Sequence, residues 1–319
     1  MLQTESVGIN LNFAIDKRSA LDLSRITGPE LYELFEMARR LREKCRGNKV
    51  DLCSIINAKS GACPEDCSFC AQSSHNQTEA NIYPLLNKEN IMEAALSAKK
   101  LGAKRFCIVT SGKTPSDKDL DNICQFISEL RKHEIMPCAT LGMLGHNQLK
   151  QLKDAGLNRY HHNLESSEEF FSEICSTHTY KDKIKTIEAA RALDLTLCSG
   201  GIFGLGESWE DRIEMAFALK DIRVDSVPIN FFTPVKGTPL QDRDMLSPLE
   251  ALKIIAIYRL IMPDREIRVC GGRPATLRDL NSHIFTAGAD GLLIGNYLTT
   301  QGRAPLDDLR MIQDMGLEI

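Results

Sequence analysis

From Val50 onward a short β-rich run, a loop and an amphipathic helix recur in the same order eight times. The runs are Asp51–Asn57, Arg105–Thr110, Met136–Leu141, Arg159–Leu164, Thr196–Ile202, Ser226–Asn230, Glu266–Cys270 and Gly291–Ile294. The helices lie near 89–101, 117–132, 146–155, 180–193, 208–220, 248–261, 275–286 and 304–315. A crossover helix returns the chain so that successive strands pair in parallel. Eight units in about 270 residues fit a (βα)8 barrel of the TIM type. A doubly wound sheet is the alternative, but no G-x-G-x-x-G follows the first run. The chain therefore divides into an N-terminal extension with one helix, 1–48, and a barrel, 49–319, in a single domain overall. In the extension, Leu31, Leu34, Ala38 and Leu41 recur at helical spacing. Thr27 and Glu30 read as a capping box with Pro29 in the first turn, and Gly47 follows the helix end. Residues 1–26 show no clear period.

A barrel of this kind carries its chemistry at the C-terminal ends of its strands. The loop after the first run reads Cys63-Pro-Glu-Asp-Cys67-Ser-Phe-Cys70, a C-x₃-C-x₂-C spacing. Three thiolates this close can hold one face of an iron–sulfur cluster. A four-iron cluster normally takes four cysteines, so one iron would keep an open position where a small molecule can bind. Zinc is the alternative, with His75 as the nearest extra ligand, but zinc usually takes four ligands in C-x₂-C pairs. The odd count of 11 cysteines and the missing signal peptide favour metal or redox chemistry over disulfides. The net charge of −4 gives no reason to expect a nucleic-acid partner. No apolar run reaches the roughly 18 residues of a membrane span. Cytoplasm is the default location.

Three more cysteines, Cys107, Cys138 and Cys198, sit in the middle of runs two, three and five. Side chains alternate along a strand, so all three can face the barrel axis and hold a second metal cluster together. Singly, each also fits as a small buried hydrophobe. Arg268 and Cys270 lie two apart in run seven and share a face. If that face is inward, both reach the same cavity, and an arginine there must be paired. Cys45, Cys53, Cys124 and Cys175 are assigned to packing or surface.

The cysteine loop, with Phe69 before its last cysteine, resembles the radical S-adenosylmethionine superfamily. In that superfamily the open iron chelates S-adenosylmethionine, whose cleavage releases a 5′-deoxyadenosyl radical. The whole chain from about residue 28 resembles the biotin synthases. The motifs that carry this are Lys59-Ser-Gly-Ala-Cys63-Pro-Glu-Asp-Cys67, Tyr160-His-His-Asn-Leu-Glu165, Cys198-Ser-Gly-Gly-Ile-Phe-Gly-Leu-Gly-Glu207, Val227-Pro-Ile-Asn230 and Lys236-Gly-Thr-Pro239. The resemblance implies a sulfurtransferase that inserts sulfur into dethiobiotin in two radical steps, with an auxiliary iron–sulfur cluster as sulfur donor. It implies a 4Fe–4S cluster on Cys63, Cys67 and Cys70. It also implies an auxiliary cluster, 2Fe–2S by family, on Cys107, Cys138, Cys198 and Arg268. It further implies S-adenosylmethionine contacts from Phe69, Thr110, His162, Asn163, Glu165 and Ile202, and dethiobiotin contacts from His161, Asn163, Asn230, Thr299 and Thr300. The glycines of 200–206 match a segment that approaches the adenine. Reduced flavodoxin or ferredoxin as electron donor, and a homodimer, are expected on the same ground.

Two departures stand out. His161 replaces an asparagine that contacts the ureido ring, and a neutral imidazole can still donate one hydrogen bond and accept another. Cys270 stands where a small non-thiol residue is expected. It offers a fourth thiolate, which suits a four-iron auxiliary cluster with Arg268 beside it rather than on the metal. The rival functions are another radical enzyme of this barrel type, of the hydrogenase-cofactor or pyrrolysine pathway, and a non-catalytic iron–sulfur carrier.

Overall fold

The computed structural model describes residues 14–319. Nine strand segments make one parallel sheet: β1 (Asp51–Lys59), β2 (Arg105–Thr110), β3 (Met136–Thr140), β4 (Arg159–His161), β5 (Thr196–Cys198), β6 (Gly201–Phe203), β7 (Ser226–Phe231), β8 (Glu266–Val269) and β9 (Gly291–Leu293). β1 pairs with both β2 and β9, and β7 pairs with both β5 and β6, so the sheet closes on itself. With β5 and β6 as one interrupted stave, the nine segments form the eight staves of a (βα)8 barrel.

The expected fifth run is split because of its neighbour. Pro228 in β7 has no N–H to give to the ladder. Gly200 passes so close that a Cβ there would lie 2.0 Å from the Pro228 carbonyl oxygen. Pairing stops after Cys198↔Ser226 and resumes at Gly201↔Ile229. Gly201 is equally constrained, since its Cβ would meet the Glu165 carbonyl at 2.5 Å. These two glycines therefore have a packing reason that a glycine-rich loop in the sequence does not reveal.

The surrounding helices are α3 (Lys88–Lys100), α4 (Asp117–Lys132), α5 (His146–Asp154), α6 (Tyr180–Arg191), α7 (Trp209–Asp221), α8 (Pro248–Ile261) and α11 (Pro305–Asp314). Asn87, Ser116, Thr179, Ser208 and Ser247 each accept a backbone N–H of the first turn of their helix, which fixes where α3, α4, α6, α7 and α8 begin. The expected helix over 275–286 is instead α9 (Arg273–Leu277), a 3₁₀ turn (Arg278–Leu280) and α10 (His283–Thr286). Arg278 takes φ +51° and ends α9. Buried Arg273 reaches Asn281 at 2.9 Å and Asp308 at 2.7 Å, so this segment wraps around a guanidinium.

The extension holds two helices, α1 (Lys17–Ser24) and α2 (Glu30–Arg46). The sequence shows no period for α1, which is only eight residues long and capped by Asp16. Both pack on α8, which explains why α8 is buried all round. The expected capping box does not form: Pro29 holds the cap position and no side chain caps the helix. Gly28 takes φ +62° and turns the chain, leaving Thr27 outside. The part of the extension over 1–13 lies outside the described residues. No described helix is long and apolar enough to cross a membrane.

Candidate active site

A cavity of about 430 Å³ opens at the C-terminal ends of the strands and runs down the barrel axis. Every candidate iron–sulfur, S-adenosylmethionine and dethiobiotin ligand named by side chain lines it; His75 and the glycines of 200–206 do not.

One wall is the loop after β1. Cys63, Cys67, Phe69 and Cys70 all line the cavity. The loop is braced by its own backbone: the Cys63 N–H donates to the Gln72 carbonyl (3.0 Å) and the Ser74 N–H to the Cys63 carbonyl (2.8 Å). The Asn76 amide nitrogen donates to the carbonyls of Cys67 (3.2 Å) and Cys70 (2.8 Å). Three thiols are thus held on one wall before any metal arrives. Their donor set suits iron–sulfur ligation.

Deeper in the barrel, Cys107 and Cys138 are in register on β2 and β3, and Cys198 is in register with His161. Cys107 Sγ lies 3.5 Å from Thr140 Oγ1. Burial pushes the Cys198 thiol up to about 12 and Cys270 well above its ordinary value. Arg159 and Arg268 oppose that rise at Cys198, and Arg268 does so at Cys270, while Cys138, hydrogen-bonded to Cys107 and facing the same arginines, is held below its ordinary value.

Arg268 crosses the barrel below them. Its Nη1 donates to the Asp51 carbonyl (3.0 Å) and the Leu292 carbonyl (3.1 Å), and its Nη2 to the carboxylates of Asp51 and Glu266. Burial would lower its pKa, but the charges around it, chiefly Cys53, Glu266 and Asp51, win and raise it. Glu266 also accepts from Arg159 (3.2 Å) and Ser226 (2.9 Å). Burial opposes its ionisation, yet Arg268 and Arg159 hold it at about 2. The structure therefore shows Arg268 as a charged donor in an ion cluster.

Above, His161 Nε2 is 2.8 Å from Asn163 Oδ1, which also accepts from the Gly200 N–H (3.2 Å). Asn163 Nδ2 donates to Glu165 (3.3 Å). With Oδ1 as acceptor, the proton of His161 sits on Nε2, and Nδ1 is left to accept. Burial lowers His161 to about 4, so the ring is neutral, and pushes Glu165 up. Glu165 itself holds φ +71°, a strained conformation for a side-chain-bearing residue. Thr110 Oγ1 and His162 Nε2 are buried with no hydrogen-bond partner. Orphaned polar atoms on a cavity wall want a ligand. The Asn230 amide is already used, donating to the Gly201 carbonyl (3.1 Å) and accepting from the Gly271 N–H (3.0 Å). Ile202 lines the same wall, and Thr299 and Thr300 are exposed at the mouth.

Cys53 and Cys175, assigned to packing or surface, are both buried and packed, and each also meets another thiol. Cys53 lines the cavity and packs with Cys270 and Leu293. Its spacing of two from Ile55, which also lines the cavity, was the available signal. Cys175 lies 3.8 Å from Cys67 Sγ, an arrangement that no local pattern foretells. Arg159 and Lys183 also line the cavity; Arg159, two residues before His161 on β4, shares its inward face.

The model of the Radical SAM superfamily matches residues 58–219, and that of the Biotin and Thiamin Synthesis associated domain matches 228–318. The biotin synthase of Thermodesulfovibrio yellowstonii is 54% identical over 91% of both chains. That of Heliobacterium modesticaldum is 49% identical over 96% of this chain and 94% of its own. Among solved structures, methylornithine synthase superposes with a TM-score of 0.82 at 20% identity, covering 96% of this chain and 94% of that one. An FeFe-hydrogenase maturase from Carboxydothermus hydrogenoformans gives 0.81 at 19%, covering 95% and 75%. At such identities the likeness concerns the fold.

Proposed function

We infer the residue roles below from one premise: this chain belongs to the biotin synthase family. It is a radical S-adenosylmethionine enzyme, a sulfurtransferase acting on dethiobiotin, and its cofactors are a four-iron cluster and S-adenosylmethionine. When bound, these supply the radical that removes hydrogen from the substrate, and an auxiliary cluster supplies the sulfur.

Cys63, Cys67 and Cys70 hold the four-iron cluster, and their braced loop supports that role. Thr110 and His162 bind S-adenosylmethionine through the polar atoms that otherwise stay unpaired. Phe69, Asn163, Glu165 and Ile202 complete its pocket. His161 accepts a ureido N–H of dethiobiotin at Nδ1, Asn163 and Asn230 flank the ring, and Thr299 and Thr300 bind the carboxylate at the mouth. Cys107, Cys138 and Cys198 hold the auxiliary cluster, with Cys270 as fourth ligand. Arg268 balances the cluster's negative charge from below, because both of its terminal nitrogens already donate. Four thiolates suit a four-iron auxiliary cluster as well as a two-iron one, and we propose the four-iron type, with Arg268 off the metal. Residues 49–319 act as one barrel unit behind the extension 1–48, in a cytoplasmic homodimer served by reduced flavodoxin or ferredoxin.

The observation that carries this reading is the stacking of two cysteine groups in one cavity, three thiols at its rim and three more on β2, β3 and β5 beneath. A radical enzyme without sulfur donation has no use for the lower group, and an electron carrier has none for the cavity. Anaerobic incubation with S-adenosylmethionine, a low-potential reductant and dethiobiotin tests it. Both 5′-deoxyadenosine and biotin should form. 5′-Deoxyadenosine without biotin would transfer the chain to another radical reaction, and neither product would reject the radical reading.

A further inference from the structure

The segment after β4 that carries Cys175-Ser-Thr-His178 is clamped to the outer side of the cysteine loop. The Ser68 N–H donates to the Ile174 carbonyl (2.9 Å), and the Asp66 carboxylate accepts from the backbone of Ser176 (2.9 Å) and Thr177 (3.2 Å). This places three soft or borderline donors together. Cys175 Sγ is 3.8 Å from Cys67 Sγ, 3.2 Å from His178 Nδ1 and 3.8 Å from its Nε2, and one ligand atom from each residue falls within 4.8 Å of the other two. Two thiolates on a tetrahedral zinc, at about 2.3 Å each, stand about 3.8 Å apart, and a thiolate and an imidazole nitrogen about 3.5 Å apart. The observed separations are therefore those of ligand pairs. Glu65 contacts His178 Nδ1, which fixes the ring and leaves Nε2 as the ligand, the carboxylate–histidine–metal arrangement. Asp66 Oδ1, 3.1 Å from Cys175 Sγ, is taken up by the Ser176 and Thr177 N–H groups and holds the segment in place, leaving the fourth position to water. Cys175 and His178 are buried, and a single S–H cannot serve all the acceptors that crowd this sulfur.

We propose that, in the cluster-free chain, Cys67, Cys175 and His178 form a mononuclear site for a zinc-class divalent cation, with water in the fourth position. Binding forms two metal–thiolate bonds and releases the two thiol protons; no electrons move. Because the site takes Cys67, which the reading above gives to the four-iron cluster, the two occupants exclude each other. Zinc held here therefore opposes assembly of the catalytic cluster.

The test uses the full chain, stripped of iron anaerobically with chelator and reductant and titrated with cobalt(II). One ion per chain should bind with thiolate-to-cobalt charge-transfer bands and the visible bands of a tetrahedral site, and zinc should displace it. Cys175→Ser and His178→Gln should each weaken binding at least tenfold, while Cys70→Ser leaves it unchanged. Loss in Cys70→Ser with retention in Cys175→Ser would overturn the proposal, since the ion would then belong to the cysteine loop alone. X-ray absorption of the zinc-loaded wild type needs no variant: two sulfurs with lighter donors support the site, and three sulfurs reject it. Zinc-preloaded wild type should rebuild its cluster more slowly than Cys175→Ser does, and the rebuilt enzyme should take up no cobalt. Uptake of one tetrahedral cobalt by the rebuilt enzyme would overturn the exclusion. Iron content of the rebuilt wild type is scored separately, so a failure of the cluster assignment is told apart from a failure of this site.

Discussion

Arg268 reaches Asp51 across Gly291. The three residues are in register on β8, β9 and β1, and the guanidinium passes over the middle strand where a side chain would stand. A Cβ on Gly291 would lie 3.1 Å from Arg268 Cβ and 3.3 Å from Cζ. One layer higher, Cys270 and Cys53 flank Leu293, which is in register with Cys53. Gly291→Ala should therefore strain the arginine and cost about 1–3 kcal/mol, as overpacking of a filled core does. Urea unfolding measures it, and a neutral result would mean the side chain has room that the geometry denies.

Glu266 ties two buried arginines together. Glu266→Gln should cost about 3–5 kcal/mol, because Arg159 and Arg268 lose their shared counter-charge in the interior. The sign of the pH effect follows. The Glu266 pKa falls from an ordinary 4.5 to about 2 on folding, so its contribution is fully present above about 4.5 and is lost as pH falls towards 2. Wild type should lose stability steeply between these limits, and the variant less so. Equal slopes in thermal melts across that window would refute the assignment.

His161 is neutral throughout the physiological range, since burial lowers it to about 4. Dethiobiotin affinity should thus show no His161 titration between pH 8 and about 5. His161→Asn keeps an acceptor and should alter KM by a few-fold at most. His161→Phe leaves Asn163 short of a donor and should raise KM roughly tenfold, the worth of one hydrogen bond of about 1–1.5 kcal/mol. Steady-state kinetics under anaerobic conditions separates them; equal KM values would remove His161 from the substrate site.

Two four-iron clusters would give about eight irons per reconstituted chain. Cys270→Ala should lower that count and change the auxiliary Mössbauer signal, while Cys53→Ala should leave both unchanged. An unaltered signal in Cys270→Ala would make it a bystander. A loss in Cys53→Ala would move the fourth ligand to β1.

Much of this site was readable in one dimension. A period-two strand pattern told which residues share a face, so Arg268 with Cys270, and the inward thiols of β2, β3 and β5, could be named from spacing alone. Loop composition told that Cys63, Cys67 and Cys70 sit in polar surroundings. The same logic stopped at residues whose neighbours are distant. Cys53 gave no sign of lying beside Cys270, because they are more than two hundred residues apart. The split of the fifth stave depends on Pro228, and the broken helix after β8 depends on Arg273 finding Asp308.

The sequence by itself determined the barrel, the order of its staves and the presence of two cysteine groups, since these follow from local period and spacing. Only the tertiary structure decided which charges meet in the interior. Arg268 is a donor to Asp51 and Glu266, and Cys175 stands next to Cys67, because closing the ring brings β8 and β9 beside β1, and β4 folds its following loop against the first. Electrostatics and metal affinity depend on separations of a few ångströms, and chain spacing carries no such distances for residues that meet only when the barrel closes.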